Sequence, residues 1–241
     1  MAKRIPLVLT EADSHLGLTN RALAGRARRV CLAFPLEGRE GDHYLVTGRP
    51  VPPARADRAA ARAALALAPT DRLVLVFGGS LGARSINRAA LDGLPGGAFR
   101  VLHVAGRRDF ADLRAPHGYD LREYIDDFGS ALAAADLAVA RAGGSVFELA
   151  HYGLPAILVP YPHASADHQT TNARWMADAG AAVIIADAEL TGAGLRAAVD
   201  ELIADPERLA KMAAAARDLA RPDAAADIAR EVLAAARGGT A

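Results

Sequence analysis

Apolar runs of strand length recur along the chain, separated by longer alanine-rich stretches in which apolar positions return every three or four residues. The runs read as strands: IPLVL (5–9), RVCLAF (29–34), HYLVTG (43–48), RLVLVFG (72–78), FRVLHVAG (99–106), LREYI (121–125), DLAVA (136–140), PAILVP (155–160) and AAVIIA (181–186). The stretches between them read as helices near 17–27, 54–67, 84–93, 107–114, 129–135, 145–152, 166–179 and 191–204. Beyond 206 the pattern is helical only, in DPERLAKMAAAARDLA and DAAADIAREVLAAAR. Near-continuous apolar strands are buried on both faces. Their alternation with helices predicts an α/β fold, a Rossmann-like doubly wound parallel sheet.

Both periodicities break at TGRPVPPARAD, where Pro50, Pro52 and Pro53 fall within four positions. Proline removes a backbone donor and clashes inside a helix, so this stretch is a hinge and not an element. The expected organisation is a short segment 1–48, a hinge 49–53, a domain 54–221, and a C-terminal helix and tail 222–241. Fewer residues precede the hinge than a complete α/β domain needs.

At 241 residues the chain is long enough for one large domain or two small ones. Its 28 basic and 28 acidic side chains cancel, which argues against nucleic acid or an anionic membrane as the principal partner. The one cysteine, Cys31 in RRVCLAF, has no internal partner and is expected in a buried strand, as suits a reducing cytoplasm. MAKRIPLVLT has only a short apolar run, broken by Pro6, and no run reaches transmembrane length; any membrane contact is expected to be peripheral.

Two strand-to-helix junctions are rich in glycine. LVLVFGGSLGARSIN (73–87) offers Gly78, Gly79 and Gly82 for close backbone approach, ahead of a helix start whose free N–H groups favour an anion. It matches neither a Walker A loop nor a dinucleotide GxGxxG, and a tight turn explains it equally well. RAGGSVFELA (141–150) repeats the layout. Ser145 and Glu148 have capping-box spacing, while the competing role is a carboxylate accepting two ribose hydroxyls, with Gly143, Gly144 and Ser145 towards phosphate.

PYPHASADHQTTNA (160–173) presents His163, Asp167, His168, Gln169 and Asn172, either to a sugar or as a solvated loop with Asp167 capping the next helix. No third ligand gives His163 and His168 a zinc site. In EYIDDFGS, Asp126 and Asp127 read as helix caps before metal ligands. His103 is expected in the core, and His15 has no evident partner.

Taken together, EADSHLGLTNR, GGSLGARSIN, EYIDDF and RAGGSVFELAHYGLPAILVPYPHASADHQTTNA resemble the lipid II-forming N-acetylglucosaminyltransferases of bacterial peptidoglycan synthesis, the MurG family (glycosyltransferase family 28). That family has a GT-B fold, two Rossmann-like domains with the active site in the cleft between them. The resemblance implies that 54–221 is the UDP-N-acetylglucosamine-binding domain and 1–48 a remnant of the acceptor-side domain, with 222–241 crossing back to it. Carried over position by position, it puts Gly79, Ser80 and Leu81 against the diphosphate, Ile125 on the uracil through its backbone, and Phe128 beside it. Gly144 and Ser145 would face the phosphates, Glu148 would hold the ribose hydroxyls, His168 and Gln169 would reach the sugar, and Asn172 would support the loop.

The implied reaction is inverting transfer without a metal or other cofactor. The sequence identifies no general base. Asp13 stands where the family has a sugar-facing asparagine, Pro52 where it has an arginine, and the RAGGSVFE loop is one residue shorter. The glycine-rich GGTGGH-type acceptor loop has no counterpart. The partners expected are therefore a UDP-sugar, together with a chain supplying the acceptor domain or a second copy, at the cytoplasmic face of the plasma membrane. The competing reading is a non-catalytic nucleotide-sugar-binding or interaction module.

Overall fold

The computed structural model describes residues 5–54 and 57–238. The chain divides into two compact units, one formed by Met1–Pro53 with Ala220–Ala241 and the other by Ala54–Leu219.

In the first unit, β1 (Val8–Glu11), β2 (Arg29–Leu32) and β3 (Tyr44–Val46) form a parallel sheet in the order β1-β2-β3, with α1 (Leu18–Leu23) in the first crossover. The first strand begins later than the apolar run suggests. Pro6 has no N–H to donate, so pairing starts at Val8 and runs on to Glu11, opposite Leu32. Cys31 is buried in β2, and burial followed by the nearby Glu231 charge pushes its thiol pKa up.

Glu11 organises the turn after β1. Burial alone would raise its pKa, but backbone N–H groups of Gly17, Asp13 and Ala12 and the Asn20 amide together hold it below the usual value. Asp13 lies in this turn, its own N–H donating to Glu11 Oε1 at 3.1 Å.

The second unit contains α2 (Arg58–Ala64), β4 (Leu73–Phe77), α3 (Arg84–Gly93), β5 (Arg100–Val104), β6 (Asp120–Arg122), α4 (Phe128–Ala134), β7 (Leu137–Ala140), α5 (Val146–Tyr152), β8 (Ala156–Leu158), α6 (His168–Asp178), β9 (Ala182–Ile184), α7 (Gly192–Ile203) and α8 (Pro206–Leu219). The last helix, α9 (Ala224–Arg237), belongs to the first unit, where it packs on β1 and its Glu231 pairs with Arg29 at 3.2 Å.

The six strands of the second unit are all parallel, in the order β6-β5-β4-β7-β8-β9. Counted within the unit this is 3-2-1-4-5-6, the Rossmann order, with its reversal between β4 and β7. Leu73 to Phe77 are buried throughout, as are Leu137 to Ala140, because helices cover both faces. The core on one face gathers Val74, Val76, Ile86, Leu137, Ile157 and Leu195 from β4, α3, β7, β8 and α7.

The helix expected over 107–114 is a single 3-10 turn, Phe110–Asp112. Pro116 biases Ala115 towards extended backbone, and Ala105 and Gly106 spend their N–H groups on Arg122 and Glu123 carbonyls. Too few residues remain for an α-helix between them. The helix expected over 54–67 is described only as α2, since Arg55 and Ala56 lie outside the described residues.

A cavity of about 440 Å³ opens at the amino-terminal end of this sheet, far from the glycine turns, beside Arg58, Arg72, Asp136 and Arg217. Arg58 and Arg72 there have structural work. Arg58 donates to the Ala133 and Ala135 carbonyls at the end of α4, and Asp136 accepts from Arg58, Arg62, Arg72 and the Leu73 N–H. Cations at a helix C-terminus offset its partial negative charge, so this cluster fastens α2 to α4.

Among the described residues no helix is long and apolar enough to cross a membrane.

Candidate functional site

The strand order decides where the glycine turns go. Phe77, last in β4, is in register with Ala140, last in β7, so Gly78 and Arg141 leave the sheet side by side. The two turns, separated by some sixty positions in sequence, therefore stand together at the carboxyl edge, at the switch point where open α/β sheets bind ligands.

The first turn is tightly built. Gly79 and Gly82 both have left-handed backbone (φ +89° and +82°), and the Gly82 N–H returns to the Gly79 carbonyl at 2.9 Å. A Cβ on Gly82 would lie 2.0 Å from the Ala105 carbonyl oxygen, and one on Gly106 would lie 2.1 Å from the Gly82 nitrogen. Gly106, at the end of β5, is thus a third glycine of this turn, and the sequence signal for it was the VAG that closes an apolar run. The Ser80 carbonyl accepts the Arg107 N–H at 3.3 Å, and Leu81 is 63% exposed. No Cβ contact exists at Gly79, which leaves its outer side open.

In the second turn the capping box does not form as its spacing suggests. Ser145 occupies the N-cap of α5 with helical backbone (φ −61°, ψ −15°), makes no side-chain cap bond, and donates its hydroxyl to the Arg141 carbonyl at 3.4 Å. With the N-cap already helical, its Oγ points back to the preceding carbonyl and not forward to the Glu148 N–H. Glu148 is half-buried in the first turn of α5.

The Tyr124–Phe128 loop adjoins the first turn, where Tyr124 lies under the Arg107 guanidinium at 4.8 Å. Phe128 meets Phe77 edge to face with centroids 4.9 Å apart, tying the start of α4 to the end of β4. Ile125 is half-buried beside Ala131 and Leu102. Asp127 caps α4, accepting from the Ser130 N–H at 3.1 Å and its hydroxyl at 2.6 Å, which hold its carboxyl below the usual range; Asp126 takes no part. Tyr152 bears on the same place, with its phenol pKa raised by burial first and then by the Asp127 and Glu148 charges. Glu148 and Tyr152 are one turn apart on the same face of α5, and a Cβ on Gly129 in α4 would lie 2.7 Å from the Tyr152 hydroxyl, so that face meets the start of α4.

The polar loop after β8 completes the arrangement. Ala166 and Asp167 both have left-handed backbone (φ 51° and 53°), strain that turns the chain into α6. The expected Asp167 cap does not form. From that backbone its carboxylate meets the Thr170 hydroxyl at 2.7 Å instead of a main-chain N–H. His168 Nδ1 donates to the Ser165 carbonyl at 2.8 Å.

Gln169 accepts the Tyr161 N–H at 3.0 Å, and its Nε2 would be 3.8 Å from a Cβ on Gly143. Asn172, 1% exposed, donates to the Ala142 carbonyl at 3.0 Å; its Oδ1 is buried without a hydrogen-bonding partner among the described residues. Gly79, Ser80, Leu81, Gly144, Ser145, Gln169 and Asn172 are thus gathered at one edge with Phe128 and Glu148 beside them, whereas Asp13 belongs to the other unit.

Sequence reasoning missed Arg141, which is 12% exposed on its side chain and ties its own loop to the first turn of α3 and to the loops after β8 and β9. It donates to the Val159 and Pro160 carbonyls (3.1 and 3.0 Å), to Ser85 Oγ (2.9 Å) and to Asp187, and stacks under Tyr161 at 5.4 Å. The hint the sequence held was its place between the end of an apolar run and Gly143–Gly144, with Ala142 intervening.

Among the described residues no group of three or more His, Cys, Asp or Glu side chains is arranged to hold a metal ion. What the edge offers is backbone N–H groups, hydroxyls, amides and the half-buried Glu148 carboxylate, a set suited to phosphates and a sugar.

Comparison with known proteins agrees in extent. Residues 73–228 match the model of the glycosyltransferase family 28 C-terminal domain. The chain is 46% identical over 96% of its length to a protein of Salinibacter ruber, and 41% identical over 98% to one of Moorella thermoacetica. Both are named UDP-N-acetylglucosamine–N-acetylmuramyl-(pentapeptide) pyrophosphoryl-undecaprenol N-acetylglucosamine transferase. The chain spans about two thirds of each relative, 66% and 69%. Among solved structures it is similar to Acinetobacter baumannii MurG, with 30% identity, a TM-score of 0.77, and coverage of 95% of this chain and 67% of that one. Many nucleotide-binding folds share the 3-2-1-4-5-6 sheet, but the matched span contains both glycine turns, the Tyr124–Phe128 loop and the start of α6, and on that ground the chain belongs to glycosyltransferase family 28, whose C-terminal domain it contains.

Proposed function

We propose that this chain binds UDP-N-acetylglucosamine at the carboxyl edge of its large sheet. There it forms the donor half of a transferase that passes N-acetylglucosamine to a polyprenyl-diphosphate-linked acceptor, the lipid I to lipid II step of peptidoglycan synthesis. The observation that carries this reading is the register of Phe77 with Ala140, which sets two glycine turns shoulder to shoulder. Gly79, Ser80, Leu81, Gly144 and Ser145 take the diphosphate, the Ile125–Phe128 loop takes the uracil, and Glu148 accepts the ribose hydroxyls. His168 and Gln169 reach the sugar, and Asn172 fixes the turn by its bond to Ala142.

The reaction in this reading is a single inverting displacement. An acceptor hydroxyl oxygen bonds to the anomeric carbon as the bond to UDP breaks, and the electron pair leaves on the diphosphate. Main-chain N–H groups already in place stabilise that growing charge without reorganisation, so no metal is required. The acceptor proton goes to a base outside the residues assigned here, and the acceptor side is supplied by a companion chain or a second copy, at the inner membrane face.

Calorimetry tests the donor site. Wild type is expected to bind UDP and UDP-N-acetylglucosamine equally well with and without EDTA. Glu148→Ala is expected to lose about tenfold in UDP affinity, as befits the loss of hydrogen bonds to a charged acceptor. No UDP binding by wild type refutes the donor site, and unchanged affinity in Glu148→Ala refutes the role of that carboxylate.

A further inference from the structure

The backbone ladders of the large sheet end at Phe77, Ala140, Leu158 and Ile184. Past those residues little main-chain pairing holds the loops in register, and their relative positions depend on side chains. Arg141 is the first residue beyond β7. One nitrogen of its guanidinium donates to Ser85 Oγ, in the first turn of α3, and the other to the Val159 and Pro160 carbonyls beyond β8 and to Asp187 beyond β9. Ser85 closes the circuit by donating to Asp187 Oδ1 at 2.6 Å. Tyr161, which lies over the guanidinium, gives its N–H to Gln169, whose amide rests beside Gly143. A planar fork with five fixed donors can bridge three loops in this way, whereas a point-charge ammonium cannot.

We infer that Arg141 is a positioning residue. Acting through Ser85 and Asp187, it fixes the separation of the two glycine turns, so that a diphosphate held by one is met by the other. The side chain spends its donors on protein acceptors and needs no contact with the donor substrate. Among its hydrogen-bonding partners in the described residues, Ser85 and Asp187 bond through side chains, which makes the coupling separable from the loop-holding bonds to Val159 and Pro160. This assignment rests on the donor-site reading above.

The test compares UDP, by calorimetry, with uridine, by ligand-observed NMR, on wild type, Ser85→Ala, Arg141→Lys and the double variant. Ser85→Ala leaves the bonds to Val159 and Pro160 in place and carries the test even if Arg141→Lys fails to fold. Each single variant is expected to lose about tenfold in UDP affinity with uridine binding within about twofold of wild type. The double variant is expected to lose less than the product of the two, because both cut the same link. UDP and uridine falling together would show a structural role only and overturn the assignment, as would unchanged UDP affinity or fully multiplicative losses. If wild type fails to bind UDP, the donor-site reading itself falls, an outcome distinct from the others.

Discussion

Alanine at Gly82 is expected to cost about 3 kcal/mol of stability in the second unit, while alanine at Gly79 costs about 1 kcal/mol. Both positions have left-handed backbone, at φ +82° and +89°, so conformational strain is common to the two. They differ in what a methyl group meets. At Gly79 it enters open space, but at Gly82 it lies 2.0 Å from the Ala105 carbonyl oxygen, which is backbone and cannot rotate away. The Ala105–Gly106 segment must then shift, and with it the bond from the Arg107 N–H to the Ser80 carbonyl. Denaturant unfolding of the two variants gives the stability difference directly. UDP affinity in Gly82→Ala is expected to fall by at least about tenfold more than in Gly79→Ala. Equal destabilisation by the two substitutions would mean that the apposition of Gly82 and Gly106 does not hold the turn.

Acid is expected to destabilise the same unit through His103. The imidazole is fully buried. Asn87 donates its amide to the Ala105 carbonyl and turns Oδ1 to His103 Nε2 (2.9 Å), which therefore carries the proton, while Nδ1 accepts from the Tyr119 hydroxyl at 3.1 Å. Burial lowers the His103 pKa from 6.5 to about 4. The same burial pushes the Tyr119 phenol well up.

A native pKa below the unfolded value means that only the unfolded chain takes up a proton as pH falls through 6.5. Stability is therefore undiminished above that pH, declines on the way down, and levels off below about 4, where both states are protonated. The total loss is about 3 kcal/mol, from 1.36 kcal/mol per pKa unit. His103→Gln cannot titrate. Its deficit relative to wild type at pH 7 is expected to narrow by about that amount at pH 4, as read from urea midpoints. A deficit that stays constant with pH would show that His103 is not held neutral.

How legible the molecule was from its sequence varies element by element. Helix α3 lies at 84–93, as its apolar period predicts, and the runs 72–78 and 136–140 become β4 and β7 with little change. Where local signals failed, a backbone hydrogen bond or a dihedral had been spent elsewhere. Pro6 delayed β1, and Pro116 with the pairing of Ala105 and Gly106 shortened 107–114 to one turn. Ser145 and Glu148 have the spacing of a capping box, but spacing does not specify φ and ψ, and a helical Ser145 aims its hydroxyl backwards. Asp167 misses its cap for the same kind of reason, being left-handed.

The site was legible as a list of residues and not as an arrangement. Glycine turns, a carboxylate after the second turn and a loop of amides are all local features, visible because each is a short run of residue types with its own chemistry. Arg141 was not visible in that way, since its partners Ser85, Val159, Pro160 and Asp187 are brought to it from distant positions.

By itself, the sequence determined the alternation of strands and helices, the hinge prolines, the neutral charge balance and the resemblance to a family, because each depends on neighbours a few positions apart or on composition. Only the tertiary structure decided that β4 lies beside β7, that Phe77 is level with Ala140, and that Gly106 presses on Gly82. Strand order in a parallel sheet is set by how the crossover helices pack on its faces, a sum of contacts between residues far apart in the chain, and no local pattern encodes that sum.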